Sequence, residues 1–247
     1  MDYLFIAGCA RSGTTAMARL LNHDPRILIG IERYKYIPRD IRRTHFYKEA
    51  FLNPNEKETN ILKERMFQQF RQKWERGQLQ IIGDKVPEYY RLMPHLAQTF
   101  PNCKVIFMLR DLLPVASSFN VRAYDAASTS WPEENDYRRA VKEWNASLGH
   151  LKQAIKMGYG RQIFIIKYEQ FYSGKMASLN TSYDFLSLKM RPHFERVFEK
   201  MTEGWVTRSS KNLILTEAMR TYLEEHKDHR LEQWVLDRLN DLSQNEC

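Results

Sequence analysis

The chain has 247 residues, enough for one sizeable core, alone or with a helical subdomain. Apolar residues make up 43% and charged residues 28%, an ordinary globular balance that argues against a fibrous or disordered chain. A net charge of +8 favours an anionic partner, whether a polyphosphorylated nucleotide, an acidic substrate, a nucleic acid or an anionic membrane surface; solubility alone is the competing explanation. Cys9, Cys103 and Cys247 are too scattered for a disulfide framework or a metal site and fit a reduced compartment. No apolar run approaches the roughly 18 residues that span a membrane. No basic segment precedes the first apolar run, so no leader is visible and a cytoplasmic location is expected.

The elements follow in chain order. The run YLFIA (3–7) predicts a strand, and GCARSGTT (8–15) a loop that opens a helix. A second strand is predicted at 27–30. The charged, aromatic stretch 41–77 is helical in pattern and too long for a simple crossover, so it is expected to form a cap or a substrate wall. Strands follow at 80–84 and 104–109, and Pro114 suits the first turn of a new helix. Residues 133–158 carry apolar positions at helical spacing, with Gly158 as the stop; a fifth strand is predicted at 162–167. The tail from Thr216 to Leu242 reads as one or two amphipathic helices. Short apolar runs alternating with helices predict an α/β fold, a parallel sheet flanked by helices in a single domain over 1–247.

Polar residues follow every strand. They are Arg11 to Thr15 after the first, Glu32 after the second and Lys85 after the third. Arg110 and Asp111 follow the fourth, and Tyr168 and Glu169 the fifth. In an open parallel sheet, ligands bind beyond the carboxyl ends of the strands, so these groups converge on one edge.

Gly8 and Gly13 keep the spacing of the phosphate-binding loop G-x-x-x-x-G-K-[ST], but Thr14 stands where the lysine belongs. A helix N-terminus still offers free N–H groups and a positive dipole end, Thr14 and Thr15 add hydroxyls, and Arg11 adds a planar guanidinium. The loss of the lysine argues against handling an ATP or GTP γ-phosphate. A plain glycine turn with a helix cap is the competing reading. In KVIFMLRDLLPVASSF (104–119), Arg110 ends a strand, and Ser118 faces back toward it if the helix starts near Leu113. Together they could hold a second phosphate; a surface pair of Arg110 with Asp111 is the alternative.

The two motifs together resemble the sulfotransferases that use 3′-phosphoadenosine-5′-phosphosulfate (PAPS). CARSGTT is similar to that family's R-[ST]-G-[ST]-[ST] loop, and LRDLLPVASSF to its R-D-x-x-x-x-x-x-S motif, with the Arg-to-Ser spacing kept. KYEQF (167–171) and YDFLSL (183–188) resemble its Y-E-x-[LF] and F-L-G-L segments, so the likeness covers roughly residues 1–190. The resemblance implies a P-loop-like fold, PAPS as sulfuryl donor and no metal. By position it implies that Arg11, Ser12, Gly13, Thr14 and Thr15 bind the 5′-phosphosulfate, that Arg110, Ser118 and Arg122 bind the 3′-phosphate side, and that Tyr168 lies near the adenosine. RSSK (208–211), with Arg208 and Lys211, stands where the family has a late basic loop, but the glycines of that loop's K-G-x-x-G form are absent.

Sulfuryl transfer needs a base on the acceptor hydroxyl and positive charge where the bond breaks. Glu32 resembles the base of tyrosylprotein sulfotransferases; an ion pair with Arg33 or Lys35 is the competing reading. The histidine that the cytosolic small-molecule enzymes carry after the third strand is absent from GDKVPEYY, where Asp84 and Glu88 are the nearest carboxylates and His45 is distant. DKVP resembles the family's K-x-P segment and assigns Lys85 to the leaving phosphate, against a surface pair with Asp84. Glu32, Lys85 and Arg11 are the residues expected to carry the chemistry.

The stretch RYKYIPRDIRRTHFY (33–47) is a candidate acceptor wall; Tyr34, Tyr36 and Phe46 in the core is the alternative. A carbohydrate hydroxyl is the first acceptor expected, a peptide tyrosine the second, a phenol or lipid the third. Two other classes remain open, a P-loop small-molecule kinase and a non-catalytic nucleotide or nucleic-acid binder. The missing lysine weighs against the first. The scattered basic residues and the lack of a recognised nucleic-acid module weigh against the second.

Overall fold

A computed structural model describes residues 1–125, 131–174, 176–209 and 214–244. The elements run β1 (Asp2–Gly8), α1 (Thr14–Leu21), β2 (Ile27–Ile31), α2 (Lys48–Leu52), α3 (Glu64–Glu75), β3 (Ile81–Lys85), α4 (Met93–Thr99), β4 (Cys103–Leu109), α5 (Leu112–Ala123) and α6 (Tyr137–Lys156). They continue as β5 (Ile163–Lys167), α7 (Tyr168–Tyr172), α8 (Met176–Phe185), α9 (Pro192–Ser209), α10 (Glu217–His226) and α11 (His229–Gln244). The strands form one sheet in the order β2-β3-β1-β4-β5, and every pairing is parallel.

Parallel strands are buried on both faces, and their side chains divide by the two-residue period. On β1, Leu4 and Ile6 enter one core with α1, α7, α8 and the first half of α9; Phe5 and Ala7 enter the other with α3 to α6. On β4, Ile106 and Met108 take the first side, Val105, Phe107 and Leu109 the second. Each such side chain, fully buried, contributes about 1.5–3 kcal/mol. All five strands have their carboxyl ends at one edge, where the chain turns into the loops that build the site.

The stretch 41–77 is not a detached cap. It breaks into a 3₁₀ turn at Arg43–Phe46, then α2, an irregular segment and α3. Phe46, Phe51, Phe67 and Phe70 are all buried in the second core. Phe46 alone stacks edgewise against Phe5 at 5.8 Å and Phe100 at 5.4 Å. The acceptor wall expected at 33–47 is divided: Arg33, Tyr34, Ile41 and Phe46 are buried, while Tyr36, Arg39, Asp40, Arg42, Arg43, Thr44 and Tyr47 are exposed. The tail forms two helices, α10 and α11, and Asp228 caps the second by accepting from the Leu231 N–H at 2.9 Å. Among the described residues no helix is long and apolar enough to cross a membrane.

Candidate active site

The loop after β1 is built by its own short bonds. The Ser12 hydroxyl and N–H both donate to the Cys9 carbonyl, at 2.6 and 3.1 Å. Arg11 sits at φ 68° and Gly13 at φ 93°, both left-handed. Left-handed backbone at a non-glycine residue carries strain that clusters at functional sites. Gly13 caps α1 with no side chain bonded to the helix start, which leaves the first-turn N–H groups facing outward. A Cβ at Gly13 would collide with the ring of Tyr168, so only glycine lets α7 pack this close.

These groups open onto a cleft of about 670 Å³ at the carboxyl edge of the sheet. Arg11, Gly13, Thr14 and Thr15 line it, as do Glu32, Lys85, Arg110, Arg122 and Tyr168. Ser12 does not line it: its side chain is buried and spent on the loop. Ser118 behaves differently from expectation. Its hydroxyl accepts from Arg11 Nε at 2.9 Å, rather than turning to Arg110. Arg110 in turn donates to the Arg11 carbonyl at 2.9 Å and lies over the Tyr168 ring at 4.1 Å. The Trp144 indole N–H holds the Arg110 carbonyl at 2.8 Å. The two predicted phosphate motifs are thus joined into one cradle of hydrogen-bond donors.

That cradle is unbalanced. Burial first, then repulsion from Arg122 and Arg110, hold the Arg11 guanidinium below its ordinary range. Arg110 Nε and Arg122 Nε are buried and have no hydrogen-bond partner among the described residues. Buried guanidinium nitrogens are ordinarily satisfied, so these two fit an anion with several oxygens. The residues present therefore suit a nucleotide carrying phosphates at both ends. Arg208 belongs to α9, but its side chain and Lys211 lie outside the described residues.

Glu32 and Lys85 line the same cleft. The β2–β3 register pairs Ile31 with Lys85, which brings the next residue, Glu32, beside the lysine. The Glu32 N–H donates to the Lys85 carbonyl at 2.7 Å, and Glu32 takes φ 55°. Lys85 Nζ then meets Glu32 Oε1 at 2.8 Å, with Lys35 Nζ at 3.2 Å from Oε2. Burial raises the Glu32 carboxyl, but attraction and hydrogen bonding from Lys85 and then Lys35 outweigh it and leave the group below its ordinary range. Both weaker expectations are settled by this geometry: Glu32 does pair with Lys35 and not with Arg33, whose guanidinium is buried against the Phe51 carbonyl and Glu58. Lys85 pairs with Glu32 rather than with Asp84. Glu88 also lines the cleft, whereas His45 does not; its ring nitrogen accepts from the Arg42 N–H and its carbonyl from the Tyr34 hydroxyl.

Arg19, Lys63 and Trp131 line the cleft and escaped the sequence reading. Arg19 lies one helical turn beyond Thr15, so the i, i+4 rule could have found it. Trp131 lies under the Arg122 guanidinium at 5.2 Å, nine positions along the chain and past the end of α5, where helical spacing gives no signal.

Comparison with known proteins agrees with this geometry. A model of the sulfotransferase family matches residues 3–192. Protein-tyrosine sulfotransferase A of Caenorhabditis elegans is 24% identical over 232 residues, 86% of this chain and 58% of its own length. Protein-tyrosine sulfotransferase of Drosophila melanogaster is 26% identical over 186 residues, 69% of this chain and 35% of its own. The chain thus spans about half the length of the curated relatives it matches. The structure of mouse sulfotransferase SULT7A1 complexed with PAP (3′-phosphoadenosine-5′-phosphate) shares the fold, with a TM-score of 0.53 over 97% of this chain and 89% of its own, at 11% identity.

These matches overturn the cytoplasmic expectation. It rested on the lack of a visible leader or membrane span and on the scattered cysteines. The curated relatives it matches include protein-tyrosine sulfotransferases, of which the chain covers only part. With the family model covering 190 of its residues, from 3 to 192, this chain belongs to the sulfotransferase family.

Proposed function

We propose that this chain transfers a sulfuryl group from PAPS to an acceptor hydroxyl, with a peptide tyrosine as the acceptor. The observation that carries the donor reading is the cluster of Arg11, Arg110 and Arg122, two of whose buried nitrogens have no partner among the described residues, at a phosphate loop without its lysine. In this reading Arg11, Gly13, Thr14 and Thr15 receive the 5′-phosphosulfate and Ser12 shapes the loop. Arg110, Arg122 and Ser118 receive the 3′-phosphate, and Tyr168 flanks the adenosine. The carbohydrate expected from the sequence gives way to tyrosine because the curated relatives are named for that acceptor.

The bound donor supplies the sulfuryl group, and PAP is the product left in the cradle. Glu32 takes the proton of the acceptor hydroxyl, whose oxygen forms the new bond to sulfur. Lys85 meets the negative charge that grows on the bridging oxygen as the old bond breaks. Arg11 binds the equatorial oxygens and holds the line of attack. Glu32 and Lys85 start as a pair, and the pair must part for both to act. Lys85 turning to the donor removes the main attraction that depresses Glu32, so the base strengthens as the donor seats.

Calorimetric titration with PAP, without metal, against ADP and against ATP with magnesium tests the donor. Selective binding of the 3′-phosphorylated nucleotide supports the reading. Preference for magnesium ATP would revive the kinase alternative and sink this one.

A further inference from the structure

Asp84 follows from none of the motifs, yet it is the most fully enclosed carboxylate beside the cleft. It is 0% exposed and stands one residue before Lys85, at the end of the β2–β3 pair, opposite Gly30. Four donors converge on it. The N–H groups of Arg33 and Tyr34 reach Oδ1 and Oδ2, both at 3.0 Å. The Lys85 N–H reaches Oδ1 at 2.9 Å, and the Tyr89 hydroxyl reaches Oδ2 at 3.0 Å. A buried carboxylate is retained where its oxygens are satisfied, and here the donors are the turn itself.

The bonds bracket Glu32. Its left-handed backbone is held from behind by the Lys85 carbonyl and from ahead by the two N–H groups on Asp84, while the Thr59 hydroxyl donates to the Glu32 carbonyl at 2.6 Å. Gly30 completes the socket. A Cβ there would stand 2.8 Å from Asp84 Oδ1 and 2.8 Å from Arg33 Cβ, so the carboxylate fills the space a side chain would take.

We infer that Asp84 is the positioning residue that fixes Glu32 and Lys85 relative to each other, by anchoring the turn after β2 to the end of β3. It touches neither substrate and moves no proton. It makes one rigid unit of the base and the cation. The inference rests on the sulfotransferase reading for its kinetic consequence, but its structural content stands without it.

Asp84→Asn tests it, since the amide keeps the shape and turns an NH₂ toward donors. A misplacement near 1 Å costs about 100-fold in rate, so kcat should fall by about that factor. KM for PAPS and the Kd for PAP should stay within about twofold, because the anion cradle belongs to β1, α1 and α5. In ¹³C spectra the Glu32 side-chain carboxyl should titrate closer to an ordinary glutamate in the variant than in the parent. Tyr89→Phe, which removes one donor and keeps the carboxylate, should change kcat by less than about fivefold.

Wild-type kcat in Asp84→Asn, or an unmoved Glu32 titration, would overturn the inference. So would a parallel loss of kcat and PAP affinity, which is what general unfolding produces. If Asp84→Asn does not fold, Gly30→Ala presses on the same socket with the carboxylate present, and the same split of kcat from PAP affinity is required. If the parent transfers no sulfuryl group to any acceptor, the functional reading fails, and the Glu32 titration still decides the role of Asp84.

Discussion

Replacing Arg110 with alanine removes the centre of the anion cradle. The guanidinium has one buried nitrogen without a partner among the described residues, and it already spends one N–H on the Arg11 carbonyl. A bidentate phosphate grip at the lower end of the charge-assisted range, roughly 1.5 kcal/mol per bond, amounts to about 3 kcal/mol, or roughly 150-fold in Kd. The fold itself should tolerate the change. It loses a cation–π contact with Tyr168, worth about 0.5–1 kcal/mol, and one hydrogen bond, and it gains relief of the repulsion on Arg11. Those opposing effects should leave stability within about 1 kcal/mol, a Tm shift of roughly 2–4 °C at this length. Calorimetry with PAP and ADP, beside a thermal melt, reads both quantities. Wild-type PAP affinity in Arg110→Ala would refute the account of the cradle. So would an equal loss for PAP and ADP, since ADP carries no 3′-phosphate.

Three further outcomes follow from the same geometry. Lys85→Ala should lower kcat by about 100- to 1,000-fold while PAP binding changes by a few-fold, measured by single turnover and calorimetry; normal turnover would remove Lys85 from the mechanism. Glu32→Gln should lower kcat by about 100- to 10,000-fold. Because the Glu32 carboxyl lies below its ordinary range in the unliganded protein, the base is ionised across neutral pH, and the acid limb of kcat/KM should fall below roughly pH 4.3. By the same sign, the stability that Glu32 contributes is present above its unfolded pKa and disappears as pH falls through the folded one. An acid limb near pH 6 that Glu32→Gln abolishes would contradict this. Gly13→Ala forces a Cβ into the Tyr168 ring at φ 93° and should destabilise by more than about 1 kcal/mol in a urea melt, with weakened PAP binding; a neutral melt would mean α7 can retreat.

The sheet was legible because its strands are buried on both sides. YLFIA and KVIFML read as unbroken apolar runs, and the observed β1 and β4 differ from them by a residue or two at the ends. The way the stretch 41–77 breaks into a 3₁₀ turn and two helices was not legible. The aromatic residues there suit a helix pattern and a core equally, and only the contacts of Phe46 with Phe5 and Phe100 decide between them. The phosphate motifs were legible as local spacing, yet their union was not. The Arg11–Ser118 bond joins residues 107 positions apart, and nothing local signals it. Glu32 was singled out by resemblance, whereas the turn that carries its left-handed backbone bonds to Asp84, 52 positions downstream and hidden in the core. The location was misread because the residues before the first strand were allowed to stand for the whole protein, whereas the chain spans only part of its relatives' length.

The central claim is sulfuryl transfer from PAPS, and the most direct test is label transfer from radiolabelled PAPS to a matched panel of a tyrosine peptide, its phenylalanine counterpart and a glycan. The account predicts metal-independent labelling of the tyrosine peptide alone, stoichiometric with PAP released, and slowed at least about 100-fold in Glu32→Gln. Labelling of the glycan and not the peptide would restore the acceptor first expected from the sequence. No labelling of any acceptor by a protein that binds PAP would contradict the account.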